Sequence, residues 1–384
     1  MPATVKRGQI STVTDTTNIK LDIADAIDFL SPTDVPLLDA IGKDSLHTPC
    51  TQILHEWLED ELEARSGTLL NAYVAGSGTM TLAANQGTYL VPDDIIRSEN
   101  IVFRVLSGPP DSDTLTVSVL AGTDAAIAAA KTWRKIAHAA QQGGVARSDS
   151  KKTVLTKPYN YPQIFKDWIV VSGTMEVISR YGYVSERAYQ EEKLLKRLAI
   201  DMEQALVYGA RSYNAGPPVK ATMGGLWDYV RLAGVTNSWA SVINMADAQV
   251  TETKVNDVLA AVWALGGSVD CVLVNSFNKR VISTWATPRI RTERSERTAG
   301  GFVTYYESDF GTIDILLDRW VDGSDLIFLK KSEVGIGPLV NRQFSSREVP
   351  SSLDGTWYEI LGEYTQEVHK PSITHGWIYN TSTS

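Results

Sequence analysis

Residues Ser185–Tyr208 read SERAYQEEKLLKRLAIDMEQALVY. Tyr189, Leu195, Leu198, Met202, Ala205 and Leu206 recur at steps of three and four, the spacing of one face of an α-helix. Ser185 is a residue type that caps a helix start, and Gly209 stands where a left-handed C-terminal residue is expected. Glu191, Glu192, Lys193, Lys196 and Arg197 take the other flanks, with Glu192 and Lys196 in the favourable i, i+4 order. A helix of this length spans about 36 Å. Most other apolar runs in the chain are short and strand-like, so this stretch reads as a strut on which sheets lean.

Outward from the strut, 384 residues suffice for two or three packed units. A hydrophobic content of 43% and a charged content of 21% are those of a globular protein, and no apolar run is long enough to cross a membrane. The first twenty residues lack the apolar core of a secretion signal. Cys50 and Cys271 have no partner at a metal or redox spacing, which fits a reducing cytoplasm. The net charge of −9 argues against gripping nucleic acid, because phosphate neutralisation needs clustered Lys and Arg. Enclosing nucleic acid without adhering to it is compatible with that charge.

Residues 1–20 are polar and Thr-rich, an arm that orders when a neighbouring copy or its own domain holds it. Leu21–Leu30 reads as a short amphipathic helix, stopped at Ser31-Pro32, and a second apolar segment follows at Val35. In CTQILHEWLEDEL, from Cys50 to Leu62, Ile53, His55 and Trp57 alternate as in a strand. Residues 76–146 are short β-type runs broken by Gly, Pro, Asn and Asp. Ile101–Val105 and Leu115–Val119 flank an SGPPDSD turn as a hairpin, and the alanine-rich Ala121–Ala140 reads as partly helical or extended. This is a β-rich insertion. Tyr159–Val171 then resumes a strand able to pair with the segment near Trp57. A helix is expected over Thr253–Leu265, a buried strand at Cys271–Val274 and a helix over Ser276–Trp285. Strands follow at Val303–Glu307, Thr312–Leu317, Leu326–Leu329, Val334–Val340 and Trp357–Val368, before a polar tail after His375.

No dinucleotide, phosphate-loop, serine-elbow or zinc-helix motif is present. The five histidines are scattered, and His47 with Cys50 lacks a second pair to complete a metal site. Asp93-Asp94 reads as turn punctuation. The loop RIRTERSER, Arg289–Arg297, mixes Arg289, Arg291, Arg294 and Arg297 with Glu293 and Glu296, so self-neutralisation or pairing between subunits suits it better than nucleic-acid binding. Ten tryptophans are many for this length, and some suit contacts between copies. The sequence offers no catalytic, cofactor or metal site.

Several segments, taken in order, resemble the major capsid proteins of tailed bacteriophages, in the branch with a β-rich insertion in the extended loop. They are Leu30–Leu37 (LSPTDVPL), His55-Glu56-Trp57 with Asp60 and Leu62, Asn160–Phe165 (NYPQIF), Met223–Leu226 (MGGL), Gly362–Thr365 (GEYT) with Glu367-Val368, and His375-Gly376. The resemblance implies an α+β chain of the Hong Kong 97 phage capsid fold. Its parts would be an N-terminal arm at 1–47, an extended loop at 48–160 containing the insertion at 76–146, and a peripheral domain at 161–240 with spine helix 185–208. An axial domain at 241–340 and a return to the peripheral domain with a tail at 341–384 complete it. It implies hexamers and pentamers closing into an icosahedral virion head around double-stranded DNA, assembled in the host cytoplasm. Scaffolding, portal and decoration proteins are further partners the family allows; no membrane and no cofactor are implied. Trp57, Glu56, Asp60, Arg289, Arg291, Arg294 and Arg297 are the candidate inter-subunit contacts. An encapsulin-type compartment shell, a tail structural protein and an enzyme with an inserted β domain remain as alternatives, the last weakened by the missing site.

Overall fold

The computed structural model describes residues 34–42, 48–60, 65–84, 86–87, 90–107, 113–140, 142, 155–178, 185–216, 218–285, 292–293, 302–303, 305–350 and 354–383. The chain forms two compact units, Leu58–Lys157 and the remainder. The expected helix at Leu21–Leu30 lies outside the described residues.

The Leu58–Lys157 unit is an antiparallel six-stranded sheet. Its strands are β1 (Ser66–Thr68), β2 (Thr79–Thr81), β3 (Asp94–Ser98), β4 (Ile101–Ser107), β5 (Thr114–Ala121) and β6 (Thr132–His138), in the order β1-β6-β3-β4-β5-β2. The two edge strands also meet: the Leu70 N–H donates to Thr81 O at 3.0 Å and the Ala83 N–H to Thr68 O at 2.9 Å. Among the described residues the sheet thereby closes on itself and leaves no long unpaired edge. Phe103, Trp133, Leu115, Ile96, Met80 and Leu82 fill its interior. The β4–β5 hairpin is the one the sequence predicts. The alanine-rich stretch is extended, not helical, because Ile127 pairs with Tyr73 and Trp133 must alternate into the core. The unit also starts before Gly76. β1, Leu69 and Tyr73 belong to its sheet and core, and their apolar character is masked by the small residues around them.

Within the other unit, α1 (Pro36–Ile41), α2 (Gly173–Val177) and α3 (Glu186–Tyr208) precede α4 (Glu252–Ala264) and α5 (Ser276–Thr284). The α3 helix is the strut. Ser185 caps it, its hydroxyl accepting from the Ala188 N–H, and Lys196 pairs with Glu192 at 2.6 Å. Its buried stripe is Leu194, Leu198, Met202, Leu206 and Val207, so Leu194 takes the inward place expected of Leu195, which is 42% exposed. Gly209 is not left-handed: its φ is −55°. A Cβ there would lie 2.4 Å from Ala205 O and 2.5 Å from Met223 O, so glycine is needed for backbone packing.

β7 (Gln163–Val171) lies beside α3 and pairs with the thirteen-residue strand β8 (Thr356–Val368), which also pairs with Val334–Pro338 and Ser345–Val349. A second, mixed six-stranded sheet runs in the order Val242–Asn244, Gly376–Tyr379, Leu326–Leu329, Cys271–Val274, Gly311–Leu317, Tyr305–Ser308. Helix α4 buries Val255, Val258, Leu259 and Val262, the four residues its periodicity selects. The stretch after His375 is not a polar tail: Trp377 and Ile378 are fully buried in an inner strand of this sheet. Four residues between polar neighbours are too few for a periodicity signal.

Candidate assembly surface and the junction beneath it

Sequence segments far apart in the chain converge on one polar junction. Asn160 is fully buried; its amide donates to Gly224 O at 3.0 Å and Gln366 O at 2.8 Å, and its carbonyl oxygen accepts from the N–H of Gly224 and of Tyr161, each at 2.8 Å. One side chain thus ties NYPQIF, MGGL and the end of β8 together through hydrogen bonds to their backbone groups.

Beside it, His55–Glu56 pairs with Tyr159–Asn160, the pairing expected near Trp57 but only two residues long. Ile53, expected inward, is 58% exposed. Fully buried Glu367 accepts from Thr48 Oγ1 at 2.9 Å, lies 2.6 Å from His55 Nε2 and 3.1 Å from His369 Nε2. Burial opposes a charge on His55, but hydrogen bonding to Cys50 and Glu367 outweighs it and pushes the imidazole up to about 9. Glu203, on α3, holds the start of α1: its two oxygens accept from the N–H groups of Leu37 and Leu38 at 2.7 and 2.8 Å. Burial pushes this carboxyl up to about 8, against the pull of those N–H groups.

Both groups bind their proton more tightly folded than unfolded. The stability they supply is complete below their unfolded values and is lost as pH rises through about 8 for Glu203 and about 9 for His55. Thermal unfolding midpoints are therefore expected to fall between pH 6.5 and pH 9, and His55→Gln should flatten the upper part of that slope. A midpoint rising over this range would contradict the assignment.

Above the junction's sheet lies an open groove of about 850 Å³ between β7, α2 and α3. Trp168 (52% exposed), Val170 (58%) and Met175 (42%) line it with Leu194 and Ile200, and Lys193 and Arg197 form a basic margin. Alternate residues of β7 point oppositely, so Phe165, Ile169 and Val171 enter the core while Ile164, Trp168 and Val170 present an apolar row to solvent. Exposed Lys166 shares this face between Ile164 and Trp168, its ammonium 4.8 Å from the centre of the Trp168 ring, and exposed apolar side chains flanked by charge are the composition of a protein–protein contact.

The sequence-selected residues fall in three places. Trp57 is 3% exposed and packs against His55, Tyr229 and His369, with ring centroids at 6.0, 6.0 and 5.6 Å. It is core of its own chain; a lone tryptophan between polar residues gives no sign of which side covers it. Trp57→Ala should cost about 3–5 kcal/mol of folding stability, read as a lower denaturation midpoint, with assembly falling only as folded protein does. Glu56 and Asp60 are exposed. Arg289, Arg291, Arg294 and Arg297 lie outside the described residues. What sequence reading missed is the Trp168/Val170 row, whose outward apolar face leaves β7 looking like a doubly buried strand.

Among the described residues no group of His, Cys, Asp or Glu could hold a metal ion, and no helix is long and apolar enough to cross a membrane. Burial pushes the Cys271 thiol up to about 12, which keeps it protonated and unreactive.

The chain covers 97% of its length on a chain from the capsid of a native GTA particle and 99% of that chain, at 11% identity and a TM-score of 0.56. The corresponding figures for the cyanophage A-1(L) capsid are 98%, 100%, 10% and 0.56, and for a chain of Microbacterium phage Oxtober96 they are 97%, 99%, 11% and 0.52. At such identities the likeness is one of fold, the Hong Kong 97-type capsid fold. No curated protein sequence matches the chain. The sequence profile described as SU10 major capsid protein matches residues 9–382. Mixed α/β architecture built on a long helix, an inserted β unit and near-complete coverage by that profile lead to one assignment: the chain belongs to the SU10 major capsid protein family and is a major capsid protein of a tailed phage.

Proposed function

We propose that copies of this chain form hexamers and pentamers that close into an icosahedral head around double-stranded DNA, assembled in the host cytoplasm. The observation that carries the reading is the solvent-facing apolar row Ile164, Trp168 and Val170 beside α3, in a member of a capsid family. An apolar strip of this kind gains its burial from a sister copy, about 25 cal/mol for each Å² removed from water. Residues 161–240 with the return after 341 serve as the peripheral part and 241–340 as the axial part. Glu56, Asp60 and the Arg289–Arg297 loop supply polar contacts between copies, and scaffolding, portal and decoration proteins act as further partners. The net charge of −9 repels packaged DNA and so favours its free movement inside the shell. The role is structural.

Electron microscopy of the purified chain tests this. Closed shells of uniform diameter are expected, and Trp168→Glu with Val170→Glu should abolish them while leaving the unfolding midpoint of the free chain within about 1 kcal/mol of wild type. A wild-type chain that stays monomeric at every concentration would overturn the proposal.

A further inference from the structure

In the Leu58–Lys157 sheet, directly opposed residues share a face. Ile96, Phe103, Trp133 and Lys135 lie on the inner one. On the outer face Arg97 stands directly opposite Arg134, and Arg104 opposes Ile95, diagonal to Arg97 on the next strand. Three arginines therefore cross three adjacent strands, with the Cβ atoms of neighbours about 5–8 Å apart. Like charges directly opposed weaken a sheet, so the arrangement costs the isolated chain stability. Among the described residues, the ion pairs of this unit run through Lys131, Lys135 and His138, not through these arginines. Arg97 Nε donates to the backbone oxygen of Glu99 at 2.8 Å, and Arg104 Nε is shielded from solvent with no hydrogen-bond partner. In the other unit Arg211, Arg319 and Arg342 each pair with a carboxylate, of Asp228, Asp34 and Glu363. Arg97 and Arg134 line an open cleft of about 480 Å³ with Ser66, Thr68, Glu99 and Thr132. Half-exposed Leu106 and Ile136 lie on β4 and β6 with Arg104 and Arg134, and half-exposed Leu120 lies on the neighbouring β5.

We propose that this arginine face docks a carboxylate-bearing surface of a second copy of the chain. The sign of the occupant follows from the unpaired guanidinium groups, whose forks match carboxylates. Its source follows from charge distribution. Residues 58–157 hold eleven acidic and ten basic side chains, so eight of the nine surplus negative charges lie in the rest of the chain. Each copy thus carries one nearly balanced unit bearing unpaired arginines and one acidic unit. Arginine set among exposed apolar side chains is the make-up of a protein interface, and the chain's overall charge repels nucleic acid.

The inference rests on the assembly reading, and the test separates the two. Full-length chains carrying Arg97→Ser, Arg104→Ser and Arg134→Ser are compared with wild type by sedimentation between about 0.05 and 0.5 M NaCl. Amide exchange at Phe103 and Trp133 confirms that the unit is folded. Shell yield is expected to fall at least about tenfold at low salt, with wild-type shells themselves losing stability as salt rises. In a second variant all three positions are Arg→Lys, and shells of mixed labelled and unlabelled copies are treated with a zero-length carbodiimide cross-linker. Links from positions 97, 104 or 134 to carboxylates of a different copy are expected. Serine-variant shells with wild-type yield and salt resistance, or links confined to one chain, would overturn the docking face alone. Failure of the wild-type chain to form shells would overturn both readings.

Discussion

Asn160→Ala is expected to leave little folded protein at 37 °C. The substitution removes the partner of Gly224 N–H, Gly224 O and Gln366 O, all at a fully buried site. Each buried polar group left unpaired costs about 1–3 kcal/mol, so the sum of roughly 3–9 kcal/mol approaches the whole stability of an ordinary domain. Asn160→Asp should be nearly as damaging, because it keeps the acceptors but sets a carboxylate against two carbonyl oxygens. Denaturant unfolding of the soluble fraction reads the effect. A midpoint within 1 M urea of wild type, about 1–3 kcal/mol, would show that water replaces the amide and that the junction is not what joins these segments.

Asp94→Asn is the second large effect, and it should be local. Asp94 is fully buried, 2.9 Å from Lys135 Nζ, whose side chain is 4% exposed, and 2.9 Å from His138 Nδ1; it also accepts from the Val91 N–H at 3.1 Å. Removing one partner of a buried ion pair leaves a charge in a poorly polarisable interior, at a cost of about 3–5 kcal/mol. Replacing the pair together, Asp94→Asn with Lys135→Met, should cost less than Asp94→Asn alone. Hydrogen exchange is the suitable readout, since Phe103 and Trp133 lie in a core separate from that around α3. Loss of amide protection should be confined to 58–157. Equal loss along α3 would show that the two units unfold together.

Asp94 also shows where sequence reading stops. Next to Asp93 it reads as a turn residue; only the fold brings Lys135 beneath it. Trp57 and Trp168 make the same point in opposite directions. Both sit among polar neighbours in strand-like segments, yet one is sealed by His55, Tyr229 and His369 while the other faces solvent. Which face of a strand is covered depends on the elements brought against it, and period-two alternation carries no label for inside. The helix pattern erred by one position, Leu194 for Leu195, because two adjacent leucines fit the stripe equally. Gly209 was legible as a helix end but not as the place where the 223–225 backbone presses against it.

From sequence alone came the strut with its serine cap, α4 and its face of three valines and one leucine, the β4–β5 hairpin, the acidic surface and the family. These follow from local periodicity, turn chemistry, composition and the order of short motifs, all of which are written within a few residues of one another. The closed sheet, the inner strand Gly376–Tyr379, the Asn160 junction, the Trp168 row and the unpaired arginines were decided by tertiary structure. Each depends on which distant backbone or charge arrives opposite a given residue, and that is a property of the packed chain rather than of any stretch within it.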